Sequence, residues 1–252
     1  MGSQRLILVD GSGYIFRAFY ALPPMSREDG TPVNAVFGFT SMLLKLSEDM
    51  EGENILVVFD AARTTFRNAI YKEYKANRSE PPEELVPQFD LIKKATTAIG
   101  LKSLEVENYE ADDIIATYVK IAKEENIETL VISSDKDLMQ LIQDGVSLYD
   151  PMKNIKIGPE AVMEKFGVSP DKVIDVQALA GDSSDNVPGV PGIGVKTASQ
   201  LINEYGSLEK LLDNASSIKQ EKRRESLLNN AELAIVSKKL VSLFSDVPIP
   251  YK

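Results

Sequence analysis

Three short apolar runs constrain this chain more than any other feature: "RLILVD" ending at Asp10, "NILVVFD" ending at Asp60, and "ETLVISSDKD" carrying Asp135 and Asp137. They are rich in Val, Ile and Leu and lack the polar alternation of a half-exposed strand, so they read as strands buried on both faces. Helical patterns such as "AVFGFTSMLLKLSEDM" and "ADDIIATYVKIAKEE" separate them. That alternation specifies an α/β fold with a mainly parallel central sheet flanked by helices. Ligands of such sheets bind beyond the carboxyl ends of the strands. Asp10, Asp60 and Asp135 are therefore expected side by side on one rim, with Asp137 two residues beyond.

A fourth run, "KSLEVE", leads into "NYEADDIIATYVKIA", which gathers Glu110, Asp112 and Asp113 at the start of a helix. Acids are favourable in a first helical turn by about 0.3–1 kcal/mol each, which accounts for one such group taken alone. Four consecutive strands delivering acids to one edge exceed what capping requires. Carboxylates gathered in this way raise one another's pKa unless cations neutralise them, and an oxygen-only ligand set suits Mg²⁺ or Mn²⁺.

Composition narrows the chemistry further. The 252 residues, 43% hydrophobic, are enough for one large or two modest domains. There is no histidine and no cysteine, which excludes Ser-His triads, thiolate catalysis, imidazole bases and Cys/His metal sites. No apolar run reaches the ~18 residues of a membrane span, and the N-terminus lacks the apolar core of a signal peptide. A cytoplasmic protein without a membrane partner is expected. The net charge of -10 argues against indiscriminate nucleic-acid binding. Locally the balance reverses: Arg63, Arg67, Lys72, Lys75 and Arg78 face a single acid, Glu73, between positions 63 and 78.

The stretch "GDSSDNVPGVPGIGVKTASQLINEYG" adds Asp182 and Asp185 and then a Gly/Pro-rich hairpin between two helical patterns. It is not a P-loop, because Val195 separates Gly194 from Lys196 and no apolar strand precedes it. It reads as a helix-hairpin-helix, in which Gly192 and Gly194 permit close backbone approach and the helix start at Lys196 and Thr197 offers amides to a phosphate. A plain helical turn with capping glycines is the simpler alternative. The run "IKQEKRRESLLNN" reads as a surface helix or loop whose Lys219, Lys222, Arg223 and Arg224 could touch duplex phosphates; a solvated face is the commoner reading of such a run, and it is not counted as a site.

Taken in order, "DGSGYIFRAFYALPP", "FRNAIYKEYKANR", "NYEADD", "SSDKDLMQL" and "GDSSDNVPGVPGIGVKTA" span nearly the whole chain. In these motifs the chain resembles the 5′-nuclease (flap endonuclease) family, and it is most similar to the N-terminal 5′-3′ exonuclease domain of bacterial DNA polymerase I. Asn108 stands where that family usually has glycine.

The resemblance implies a PIN-like 5′-nuclease fold: an α/β core over residues 1–172, a helical arch at about 63–90, and a helical DNA-binding region over 173–252 with its hairpin at about 186–205. It implies two or more Mg²⁺ or Mn²⁺ ions, one held by Asp10, Asp60, Glu110 and Asp112, the other by Asp135, Asp137, Asp182 and Asp185, with Asp113 in support. Lys75 and Arg78 match positions that reach the reacting phosphate. Arg17 and Arg67 are expected to contact DNA, as are Gly192, Gly194, Lys196 and Thr197, with K⁺ beside the hairpin. Tyr74 either stacks on a terminal base or packs the arch onto the core. The implied activity is metal-dependent 5′-3′ exonuclease and flap endonuclease hydrolysis of DNA by a monomer acting on 5′ flaps, nicks and RNA primers, with a polymerase domain in the same native chain. A non-catalytic DNA-binding module and a PIN-like ribonuclease are the alternatives.

Overall fold

The computed structural model describes residues 5–151 and 153–250. Its sheet has six strands: β1 (Leu6–Asp10), β2 (Asn54–Val58), β3 (Lys102–Leu104), β4 (Thr129–Ile132), β5 (Val146–Asp150) and β6 (Ile155–Ile157). They lie in the order β3-β2-β1-β4-β5-β6. All neighbours pair in parallel except β6, which runs antiparallel at the edge. The four strands expected from the sequence are present, and β5 and β6 extend the sheet beyond them.

The helices are α1 (Gly11–Ala21), α2 (Asn34–Asp49), α3 (Phe66–Ile70), α4 (Val86–Ala98), α5 (Ala111–Glu124) and α6 (Pro159–Phe166). Those that follow are α7 (Val173–Ala180), α8 (Val195–Tyr205), α9 (Leu208–Asp213), α10 (Glu221–Asn229) and α11 (Ala231–Val241). Among the described residues no helix is long and apolar enough to cross a membrane.

The period-2 geometry of strands divides the apolar runs between two layers. Ile7, Val9, Val57, Leu130 and Ile132 pack with Tyr14, Phe39, Leu43 and Ile92 of α1, α2 and α4. Leu8, Leu56, Val58 and Val131 face the other way, toward Ile114 and Ile115 of α5, and that layer continues without a break through Val176, Leu201, Leu227 and Val247. The C-terminal helices are thus part of the same core as the sheet. After α11 the chain lies along α5, where Phe244 N donates to Asp113 Oδ1 at 2.8 Å and Val247 N to Thr117 Oγ1 at 3.1 Å.

Strand order reverses between β1 and β4. Such a switch point opens a crevice at the carboxyl ends, and there lie Asp10 and the segment Ser133–Asp137.

The segment expected to form a helical arch is mostly non-helical. Within 63–90 only Phe66–Ile70 and the first residues of α4, from Val86, are α-helical, and turns fill most of the chain between them. The turns fold down onto the loop between α7 and α8: Lys75 N donates to Asp185 O at 2.9 Å, Asn77 Nδ2 to Ser183 O at 2.6 Å, and Asn186 Nδ2 to Glu73 O at 2.6 Å.

That loop depends on glycine. Gly189 has φ +62°, and a Cβ there would lie 2.7 Å from the Ala180 carbonyl carbon, against the backbone of Gly181. Gly192 has φ +78° with open space before it. Gly192→Ala should therefore lose about 1–2 kcal/mol from backbone strain alone, and Gly189→Ala distinctly more; urea unfolding of both variants measures the difference.

Candidate metal centre

The acids expected at the rim arrive from five places in the chain. Asp10 ends β1 and caps α1, its Oδ1 accepting from Gly13 N at 3.1 Å. Asp60 follows β2 and accepts from Ala111 N at 2.7 Å, which ties it to the start of α5. Glu110 is the N-cap of α5, and Asp112 lies in its first turn. Asp135 and Asp137 follow β4, where Asp137 N donates to Asp135 Oδ1 at 2.9 Å. Asp182 and Asp185 lie in the α7–α8 loop, held by the Asp182–Val187 backbone pair.

Their mutual influence is visible in their acidity. Burial, reinforced by Asp135 and Asp60, pushes Asp10 up to about 6. Burial and Asp135 push Asp137 up to about 7, with Asp185 and Asp182 adding to the effect. Asp112 is raised well above the ordinary carboxylate range by burial and by Asp135, Asp10 and Glu110. Asp182 goes the other way: burial opposes its charge, yet hydrogen bonds from Lys136 and Ser184 hold it below the usual range.

A cleft of about 20 Å³ is lined on one side by Glu110, Asp112, Asp137, Asp182 and Asp185 and on the other by Arg67, Tyr74 and the apolar side chains of Val187, Leu240, Val241 and Leu243. A water needs roughly 10–15 Å³ by such a measure, so the cleft takes an ion-sized occupant. Among the described residues no three acids already converge on one point closely enough to hold an ion. Protein cations occupy part of the site. Lys75 Nζ lies 2.8 Å from Glu110 and 3.5 Å from Asp185, Arg78 pairs with Asp185, and Lys136 with Asp182. The donor set is nonetheless all oxygen, which fits a hard divalent ion once these side chains withdraw. A larger groove, about 870 Å³, opens at the opposite ends of β4 and β5 and is lined by residues such as Glu128, Asp144 and Lys156, away from these acids.

Two expected roles are corrected by the geometry. Arg67 is fully buried, its guanidinium bidentate on Asp113 with both contacts at 2.7 Å, and it also donates to the carbonyls of Leu240 and Ser242. It has no face left for DNA. Asp113 is equally buried and also accepts from Glu110 N and Phe244 N, so it positions Glu110 and is not available as a metal ligand.

Tyr74 takes the packing alternative. It is 5% exposed, and its hydroxyl lies 3.3 Å from both Glu110 and Asp185. Arg17 is half-buried in α1, three residues beyond Tyr14, on whose hydroxyl its charge and that of Asp10 both act. Gly192, Gly194 and Lys196 are exposed at the hairpin and Thr197 is half-buried, its N–H already donated to Gly194 O at 3.0 Å. Asn108 has φ +71°, a left-handed conformation that glycine takes freely and asparagine tolerates.

Several residues of the site escaped sequence reasoning. Ser133 Oγ donates to Asp10 Oδ2 at 2.8 Å and accepts from Asp135 N at 3.0 Å, joining two acids across the switch point. Gln177 Nε2 donates to Asp137 at 2.5 Å. Ser133 and Lys136 belong to the quoted "SSDKD", where their proximity to the acids was the available signal.

A family profile described as the N-terminal resolvase-like domain of 5′-3′ exonuclease matches residues 5–167, and its companion, the C-terminal SAM fold of 5′-3′ exonuclease, matches 168–252. The chain belongs to the 5′-3′ exonuclease family. DNA polymerase I of Rhizobium leguminosarum is 54% identical over 98% of this chain and 25% of its own length; the chain spans about a quarter of the curated relatives it matches. T5 5′-exonuclease with divalent metal ions (zinc) bound superposes with a TM-score of 0.81 at 25% identity, covering 96% of this chain and 90% of that one. The T5 D15 flap endonuclease in a pseudo-enzyme-product complex with DNA and metal ions gives 0.79 at 25% identity, with the same coverage. Divalent metal ions are bound in both of these T5 structures.

Two outcomes follow for this exonuclease domain. Arg67→Ala should lower unfolding free energy by about 3–5 kcal/mol by stranding the Asp113 charge, and Arg67→Met with Asp113→Leu should recover much of it in urea titration. In chelator, thermal stability should fall as pH rises from about 4 to about 7, because Asp10 and Asp137 hold protons in the native state that the unfolded chain has released. Asp182 acts in the opposite sense, below about pH 4. Mg²⁺ should flatten the slope, since cations favour the ionised carboxylates.

Proposed function

We propose that this domain hydrolyses DNA phosphodiesters at 5′ ends and 5′ flaps, including nicks and RNA primers, with two or more Mg²⁺ or Mn²⁺ ions. The observation that carries this reading is the ion-sized acidic cleft on the switch-point rim, lying directly beneath the basic turns of residues 71–78. Asp10, Asp60, Glu110 and Asp112 would hold one ion, and Asp135, Asp137, Asp182 and Asp185 another. When bound, such ions activate water and neutralise charge on the phosphate. Ser133 and Gln177 fix the orientations of Asp10 and Asp137, which pre-organises the donors.

The protein's cations complete the site. Lys75 and Arg78 rest on Glu110 and Asp185 and would transfer to the non-bridging phosphate oxygens, where fixed charge stabilises the transition state. Arg17 would grip the neighbouring phosphate. Lys75 has φ +55°, costly for a side-chain-bearing residue, and its backbone bond to Asp185 keeps it in place over the acids.

The hairpin is proposed to hold the duplex. Gly194 has an ordinary φ of -91°, and nothing lies within 4 Å of where its Cβ would stand. Neither backbone nor packing requires glycine there, whereas close approach of a phosphate does. The first N–H groups of α8 and the Lys196 ammonium supply the donors, with K⁺ beside them. We assign the domain to the cytoplasm, as a monomer that works in a chain with a polymerase.

On a duplex with a single-stranded 5′ flap, cutting should require Mg²⁺ and fall near the junction. A bulky protein cap fixed to the flap terminus beforehand should suppress it, because the folded-down turns leave the strand to enter by its free end. Full-rate cutting of capped flaps defeats the entry route. Asp135→Asn with Asp137→Asn should abolish cutting while duplex binding persists; wild-type turnover in that variant removes the metal assignment. Lys75→Ala should slow single-turnover cleavage at least ~100-fold, in the range of a lost transition-state charge contact, and an unchanged rate removes its catalytic role.

A further inference from the structure

Helix α10, which begins with a basic run, touches the hairpin through Ser226. Ser226 Oγ donates to Pro191 O at 2.6 Å, and Pro191 immediately precedes Gly192. Lys222, four residues before Ser226, shares its face of the helix one turn away, about 5.4 Å along the axis. Lys219 stands one residue before the N-cap, Gln220.

The neighbouring cations are employed elsewhere. Arg224 Nη1 donates to Ile218 O at 2.7 Å, Arg223 is half-buried on the side of buried Leu227, and Lys238 is paired with Asp175 and Glu209. Lys219 and Lys222 are exposed, and among the described residues neither has a partner. The acids of the same helix, Glu221 and Glu225, centre on a face turned by about 100° from that of Lys222 and Ser226.

We propose that Lys219 and Lys222 continue the hairpin's phosphate track, holding the phosphates of double-stranded DNA adjacent to the one seated at Gly192 and Gly194. This rests on the reading of the hairpin as a phosphate grip and extends it onto a second helix. A duplex strand presents a charge about every 3.4 Å of axis, so a helical turn spans one to two phosphates. Two lysines at the entry and first turn of one helix can each reach a phosphate of that series and read no base, since an ammonium acts as a hydrated point charge on a flexible stem.

The test is binding of a flap duplex by fluorescence anisotropy, in chelator to prevent cleavage, across a salt series. Lys219→Ala with Lys222→Ala should reduce the slope of log affinity against log salt by about 1.8, or 0.9 per lost phosphate contact, and weaken binding roughly 10-fold or more at moderate salt. Lys219→Glu with Lys222→Glu should weaken it further, while affinity for the single-stranded flap oligonucleotide stays at the wild-type value. Far-UV dichroism and melting temperature confirm the fold, which these solvent-facing side chains do not support. A wild-type slope in both double variants overturns the proposal, and equal loss of single-strand binding overturns the assignment to duplex. Lys196→Ala reports on the hairpin independently: an unchanged slope there defeats the hairpin reading itself, whereas a loss there beside a wild-type slope in the double variants defeats only the extension.

Discussion

The buried pair of Arg67 and Asp113 is the joint on which the site is assembled. Its atoms connect α3, the start of α5, the end of α11 and the strap that follows α11, four pieces distant in sequence. A buried ion pair is seldom worth more than well-packed apolar side chains in net stability, because two charges must be desolvated. Its value here is directional. Six hydrogen bonds on one pair leave a single arrangement for Glu110, whose N–H is bound by Asp113, and hence for the acid that stands at the head of the cleft.

Around that joint the molecule tolerates a concentration of charge that would otherwise loosen it. Acids reach the rim from β1, β2, β4, α5 and the α7–α8 loop because a parallel sheet points every carboxyl end the same way. The charge is offset locally by Lys75, Arg78 and Lys136, and three acids with no such ion pair, Asp10, Asp112 and Asp137, are weakened by burial, which raises their pKa. The basic turns thereby serve the acids they cover, and the same contacts hold the α7–α8 loop against the sheet.

The parallel core was legible because strands buried on both faces leave unbroken apolar runs, as "RLILVD" and "NILVVFD" do. β5 and β6 were harder to see: "VSLYD" alternates buried and half-buried positions, and "IKI" is three residues long. The acids of the rim were readable from their places at strand ends. Arg67 was misread because basic residues at turn spacing look alike in sequence, and only the partner at Asp113, 46 residues away, distinguishes a buried arginine from one facing DNA. The helical arch was over-read for a related reason. "YKEYKANR" has helical propensity, yet the positive φ of Lys75 and backbone bonds to the Asp182–Asn186 loop override it.

The apolar layer that runs unbroken from Leu8 to Val247 has a mechanical meaning. Hairpin and acid rim are mounted on one continuous core with no hinge of loose packing between them, so their separation is a constant of the fold. On the proposed reading of the hairpin as a duplex grip, the domain is in effect a caliper: with one jaw closed on the backbone, the other would meet the strand at a set remove, and the position of the cut would be measured in ångströms of protein and not in bases read.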